Sequence, residues 1–139
     1  EDTLSLHDAL PILAQALKFL SGTQKKKAIV FVISDFMTQE YEQTLKIASK
    51  KHDITGIRVY DIREEKMPNL GMVPMLDAET GAVQLVDTGS KSVRMNYEKY
   101  YHDRVVYFKE TFSKSGSGVV NTRVDESYVT KLLGYFKSR

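Results

Sequence analysis

The run from Ala28 to Ile33, six apolar residues rich in β-branched side chains, constrains this chain more than any other stretch. Its length and composition read as a strand buried on both faces. Such a strand belongs in a parallel sheet, because helices must then cover both of its sides. It runs directly into Ser34 and Asp35, a hydroxyl and a carboxylate. In open parallel sheets the carboxyl ends of the strands are where ligands sit. The pair also has a plainer use. Together with Thr38 it can accept the free N–H groups at the start of the next helix. Both readings stand at this point.

The remaining pattern supplies what such a strand needs. Leu13, Ala16, Leu17 and Leu20 fall at helical spacing and predict a helix from about Pro11 to Ser21. Pro11 suits the first helical position and Gly22 the exit. After Thr38, "QEYEQTLKIASKK" reads as a helix with Tyr41, Leu45, Ile47 and Ala48 inward. Glu40 and Glu42 in its first turn and Lys50 and Lys51 in its last agree with the helix dipole. Ile54 to Tyr60 is a second strand. "MVPML" and "AVQLV" flank "DAETG", where Gly81 offers the positive φ of a short hairpin loop. A β-hairpin insertion over about residues 71–88 follows, with Pro74 best placed on an edge.

Val93, Tyr97, Tyr101, Val105, Phe108 and Phe112 form one apolar stripe on a helix from about Ser92 to Lys114. "SKSGSG" stops it, "VVNTR" is a third strand, and Asp125 is placed to cap a last helix burying Val129, Leu132, Leu133 and Phe136. The fold class is therefore α/β: a three-layer, Rossmann-like arrangement with parallel strands joined by right-handed crossovers, plus a β-hairpin.

At 139 residues the chain is one domain long, and a chain of this size buries about two-thirds of its unfolded surface. A net charge of +2 gives no argument for nucleic acid as a partner. The absence of cysteine excludes disulfides, thiolate metal sites and cysteine nucleophiles, and suits a cytoplasmic location. No apolar run is long enough for a membrane span. The opening residues Glu1, Asp2 and Asp8 are acidic where a signal peptide would be basic.

Other constellations are better explained by structure than by chemistry. Asp61 could pair with Asp35 as two carboxylates, but Arg63 lies closer in sequence as a local partner. The long helix sets Arg94, Lys99, Arg104, Lys109 and Lys114 beside Tyr100 and Tyr107, a mixture that can bind single-stranded nucleic acid. Glu98, Asp103 and Glu110 dilute that charge, so the pattern reads as a solvated face. His52 and His102 have no ligand-type neighbours at metal spacing. Ser34 has no evident histidine partner for a nucleophile's role. No glycine-rich phosphate loop is present.

"AIVFVISDF" followed by a helix, then "RVYDIREEKMPNLG", then "LDAETGAVQLVDT", resembles the bacterial von Willebrand factor A-like family catalogued as domain of unknown function 58. The resemblance covers about Leu13 to Arg139. It implies a von Willebrand A-like fold of which this chain supplies the second half, namely the fourth, fifth and sixth strands. It also implies a partner, a MoxR-type AAA+ ATPase, and a non-enzymatic role in protein interaction. Metal-dependent members of the wider superfamily hold a divalent ion through an Asp-x-Ser-x-Ser loop, a Thr before a later helix, and an Asp after the fourth strand. Asp35 aligns with the last of these, with Ser34 shaping its loop. No Asp-x-Ser-x-Ser occurs in this sequence, and Leu10, Pro11 and Ile12 stand where the family often has Gly-Thr-Asp. The resemblance thus implies Mg²⁺ for a full-length protein and an incomplete site here. The alternative is an enzyme, a phosphoacceptor or metal-dependent hydrolase, using Asp35 at the strand edge.

"EDTLSLHDALPI" resembles the conceptual translation of sequencing-adapter DNA. On that reading residues 1–12 are not natural protein and residues 13–139 are a partial domain; a divergent natural N-terminus is the alternative. Without the half that precedes it, strand 28–33 is expected to be an open apolar edge that favours self-association.

Overall fold

The computed structural model describes residues 11–77 and 80–139. The element order is α1 (Ile12–Thr23), β1 (Ile29–Ser34), α2 (Glu42–Lys51), β2 (Asp53–Tyr60), a 3₁₀ turn (Ile62–Glu65), β3 (Met72–Leu76), β4 (Val83–Asp87), α3 (Lys91–Lys114), β5 (Gly118–Arg123) and α4 (Tyr128–Lys137). The chain divides into two compact units, one of residues 1–60 and 104–139, the other of residues 61–103. The expected 1–12 segment lies almost wholly outside the described residues.

The first unit is built on a three-stranded sheet in the order β1-β2-β5, with both pairings parallel. Alternation along the strands sorts the side chains onto two faces. On one face Val30, Val32 and Val119 meet a core of Ala14, Leu17, Phe36, Tyr41, Leu45, Ala48, Ile54, Phe108 and Phe112. These residues come from α1, α2, the end of α3, β2 (Ile54) and the loop between β1 and α2 (Phe36 and Tyr41), and the apolar stripe of α3 is as expected at Phe108 and Phe112. Gly56 is part of the reason the fit is close. A Cβ there would lie 2.5 Å from one ring carbon of Phe112 and 2.8 Å from one of Phe108. The other face carries α4: Phe136 meets Phe31 edge-on at 5.8 Å, and the Tyr135 hydroxyl lies 3.2 Å from that of Thr55. Helices, sheet and helix make the three layers of an α/β, Rossmann-like half-domain.

Several local expectations change. β1 is not buried on both faces: Ile29 and Ile33 are 70% and 68% exposed, and α4 packs chiefly on β5 at the other edge of the sheet. Among the described residues β1 pairs with β2 alone. Pro11 occupies the N-cap position of α1, and Gly22 lies within its last turn. α2 begins only at Glu42, after Tyr41 and a Glu40 with φ 61°, so Thr38 does not cap it. Ile47 points outward. Ser127 caps α4, its Oγ accepting the Thr130 N–H at 3.4 Å, while Asp125 is drawn to Arg123. On α4 Val129, Leu133 and Phe136 remain largely exposed, and Leu132 and Tyr135 are half-buried.

The second unit is the expected hairpin with its flanks. β3 and β4 pair antiparallel, Pro74 opposite Leu85, and Gly81 at φ 72° closes the loop. Thr88, buried, anchors the hairpin's base: its Oγ accepts the Leu70 N–H at 2.8 Å, and its own N–H donates to the Gly71 carbonyl at 2.9 Å. The Arg94 guanidinium donates to the Thr88 carbonyl at 2.7 Å, tying the start of α3 to the hairpin.

Candidate functional site

The carboxyl ends of β1, β2 and β5 lie side by side, and their register puts Ser34, Arg58 and Asn121 in one row. All three face the side of the sheet that carries the aromatic core. Arg58 is 5% exposed, an unusual place for a guanidinium. Its Nε donates to Asn121 Oδ1 at 2.7 Å, and its guanidinium carbon stands 4.0 Å from the centroid of the Tyr60 ring. A planar donor fork and a weakly hydrated charge suit both contacts. The β2 and β5 members of this row are thus joined through a cation that belongs to the protein.

The loop after β1 is fixed by its own first residues. Ser34 Oγ accepts the Phe36 N–H at 3.0 Å, and Asp35 Oδ1 accepts the Met37 N–H at 3.0 Å. These bonds close tight turns, so the side chains cap a loop instead of a helix. Phe36 sits at φ 56°, in the left-handed region that bulky residues avoid. Its ring is fully buried, stacked 4.0 Å from that of Phe108 and edge-on to that of Phe112 at 5.3 Å. Packing of the ring offsets the backbone cost. The consequence for Asp35 is geometric: an exposed carboxylate held between a strand end and a buried aromatic anchor.

Asp35 and Ser34 are two donor side chains with three oxygens between them, of which Asp35 Oδ1 and Ser34 Oγ each already accept a backbone N–H. Among the described residues no group of three or more His, Asp or Glu side chains is placed to hold a metal ion. A hard cation such as Mg²⁺ asks for octahedral oxygen ligation, and these two donors alone do not meet that demand. Asp61 belongs to the other unit and is engaged by Arg63, whose guanidinium reaches Asp61 Oδ2 at 2.6 Å. The side-chain and backbone hydrogen bonds from Arg63 hold the Asp61 carboxyl at about 2. Arg123 binds Asp125 at 2.9 Å and Glu126 at 3.1 Å, so its charge is spent locally. His52 is buried at the far end of the sheet, its Nδ1 accepting the Ala28 N–H at 3.1 Å, which is a structural role.

On the α4 side, the same strand ends border a cavity of about 400 Å³ lined mainly by Ile33, Ile57, Val59, Val124 and Leu132. Sequence reasoning read "VVNTR" as a third strand but passed over Arg58, Phe36 and this cavity. The signal for Arg58 was present: one charge inside an apolar strand needs a partner at the same height on the neighbouring strand. No comparable signal marks Phe36, because its left-handed backbone is dictated by tertiary packing.

A parallel α/β scaffold with a rigid polar loop at its strand ends is the class these features define. Within it, the chain belongs to the family described as Protein of unknown function DUF58, which matches residues 6–106. It is 25% identical over 128 residues to an uncharacterised protein of Mycobacterium avium, covering 91% of this chain and 75% of that one. It is 23% identical over 128 residues to an uncharacterised protein of Mycobacterium tuberculosis, covering 91% of this chain and 40% of that one. Among solved structures, the conserved hypothetical protein BatB from Bacteroides thetaiotaomicron aligns over 98% of this chain and 63% of its own, at 12% identity and a TM-score of 0.40. The chain therefore spans less than half of the Mycobacterium tuberculosis relative and less than two-thirds of the BatB chain. No helix among the described residues is long and apolar enough to cross a membrane.

Proposed function

We propose that this chain is a non-enzymatic protein-interaction domain of the von Willebrand A-like kind, working with a MoxR-type AAA+ ATPase and a client protein. Membership of the DUF58 family supports this reading, as does the sequence resemblance set out above. The observation that carries it is Asp35: an exposed carboxylate at the end of β1, fixed by its own turn and by the buried Phe36 beside it. A charge already held in one place loses little freedom when a partner docks. A lysine or arginine on the partner can meet it as a charge-assisted pair. Mg²⁺ enters only where a longer protein brings further oxygen ligands to Asp35 and Ser34; the interaction proposed for this chain does not depend on it.

The test is a pull-down of a MoxR-type ATPase from the same genome, with wild-type chain and Asp35→Ala, with and without chelator. The reading predicts that Asp35→Ala loses most of the captured ATPase. Equal capture by both would remove Asp35 from the interface. Incubation with acetyl phosphate, followed by intact mass, addresses the enzyme alternative: a phosphoryl adduct on wild type that Asp35→Ala lacks would favour a phosphoacceptor.

A further inference from the structure

The hairpin of the second unit presents one apolar face to solvent among the described residues. Its register pairs Leu76 with Val83, Pro74 with Leu85 and Met72 with Asp87. Alternation puts these side chains on one face and the half-buried Val73 and Val86 on the other. On the first face Met72, Leu76, Val83 and Leu85 are 60%, 68%, 66% and 72% exposed, and Pro74 is exposed as well. A two-stranded ribbon covered on one side only is marginal, and a contiguous apolar patch of this kind marks an interaction surface. The charges around it have one sign. From Gly71 to Asp87 the sequence holds Asp77, Glu79 and Asp87 and no Lys, Arg or His, although the whole chain carries +2. Asp77 and Asp87 lie exposed at the two ends of the patch, one following Leu76 and the other opposite Met72.

We propose that this face is the docking surface for one amphipathic helix of a partner protein, with basic residues at both ends of its apolar stripe. Width and length set the occupant. Two strands about 4.8 Å apart present a face about as wide as one helix, about 10 Å. Strands of five residues run about 17 Å, which is about three helical turns. Three turns carry apolar residues at i, i+3, i+4 and i+7, enough to cover Met72, Pro74, Leu76, Val83 and Leu85. The partner's Lys or Arg residues then reach Asp77 at one end and Asp87 at the other as charge-assisted pairs. The same acidic ends oppose the alternatives. A second copy packed face to face brings its own aspartates against these, and an anionic lipid surface meets the same repulsion. Apolar burial supplies the affinity, and the end charges select the sign of the partner. This inference does not rest on the role proposed for Asp35.

The probe is a synthetic three-turn peptide with leucines along one face and two lysines at each end, titrated into the 139-residue chain and followed by methyl NMR. A matched peptide with glutamates in place of the lysines is the control, and circular dichroism confirms the fold of each variant. The basic peptide is expected to bind saturably below about 1 mM, shifting the methyl signals of Met72, Leu76, Val83 and Leu85. Leu85→Lys, at an exposed position, is expected to weaken binding by about tenfold or more. Asp77→Asn combined with Asp87→Asn keeps the side-chain oxygens that accept the Thr80 and Gly89 N–H groups, so the turns persist. That variant is expected to bind the basic peptide about threefold or more weakly and to lose most of the salt dependence. No saturable binding, equal affinity of the wild type for both peptides, an unchanged affinity in Leu85→Lys, or shifts that leave out these methyls overturns the proposal. Self-association that Leu85→Lys abolishes, or binding to anionic vesicles in place of the peptide, would give the face to a second copy or a membrane and overturn it as well.

Discussion

Arg58 Nε donates a 2.7 Å hydrogen bond to Asn121 Oδ1 across the β2–β5 pair, directly opposite in register. The guanidinium is buried, so the acceptor matters more than it would at the surface. This bond holds two strand ends together at the level where β1 contributes Ser34.

Removing the acceptor should therefore cost more than an average surface substitution. Asn121→Ala is expected to destabilise the chain by about 1.5–3 kcal/mol, the usual range for a hydrogen bond to a charged group. Urea denaturation followed by circular dichroism measures it. Adding Arg58→Met in the same chain should recover part of the loss, because no buried charge then lacks its acceptor. A loss for Asn121→Ala below the error of the fit would mean that the bond contributes little.

Phe36 makes the second prediction. Its ring is fully buried against Phe108, Phe112 and Tyr41, with its backbone in the left-handed region. Phe36→Ala is expected to cost about 3–5 kcal/mol through lost packing. Amide exchange in the segment 34–38 should speed up relative to the centre of β2, since the anchor of the strand-end loop is gone. Thermal and urea melts with exchange mass spectrometry would read both effects.

Asp61 provides a pH test. Hydrogen bonds from the Arg63 side chain and backbone hold its carboxyl at about 2, below the ordinary 3.8. A lowered folded-state value stabilises the ionised form. The contribution is therefore complete above about 3.8 and disappears as pH falls toward 2. Carboxyl NMR titration should place the Asp61 midpoint near 2 in the wild type and move it upward in Arg63→Gln. A midpoint near 3.8 in the wild type would show that the pair does not persist in solution.

The order of helices and strands was legible because it depends on local pattern. Tyr101, Phe108 and Phe112 repeat at steps of seven and four, and burial of all three follows from that spacing. The Asp61–Arg63 pair was legible because its residues are two apart. Burial of β1 was not. An apolar run reads the same whether one face or both are covered, and Ile29 and Ile33 are left open while α4 packs chiefly on β5. The start of α2 was misplaced for a related reason. Thr38 is a good cap, but burying the Phe36 ring sends the chain through two left-handed residues before the helix can begin at Glu42. At α4, Asp125 and Ser127 are both capping residues, and the competing attraction of Arg123 for Asp125 decided between them.

Asp35 is proposed as the contact this domain offers to a protein partner. Calorimetric titration of a MoxR-type ATPase with the wild-type chain, Asp35→Ala and Asp35→Asn tests it most directly. The account predicts measurable binding for the wild type, a loss of about tenfold or more for Asp35→Ala, as removal of a charge-assisted bond implies, and a smaller loss for Asp35→Asn. Equal affinity for all three chains would contradict it.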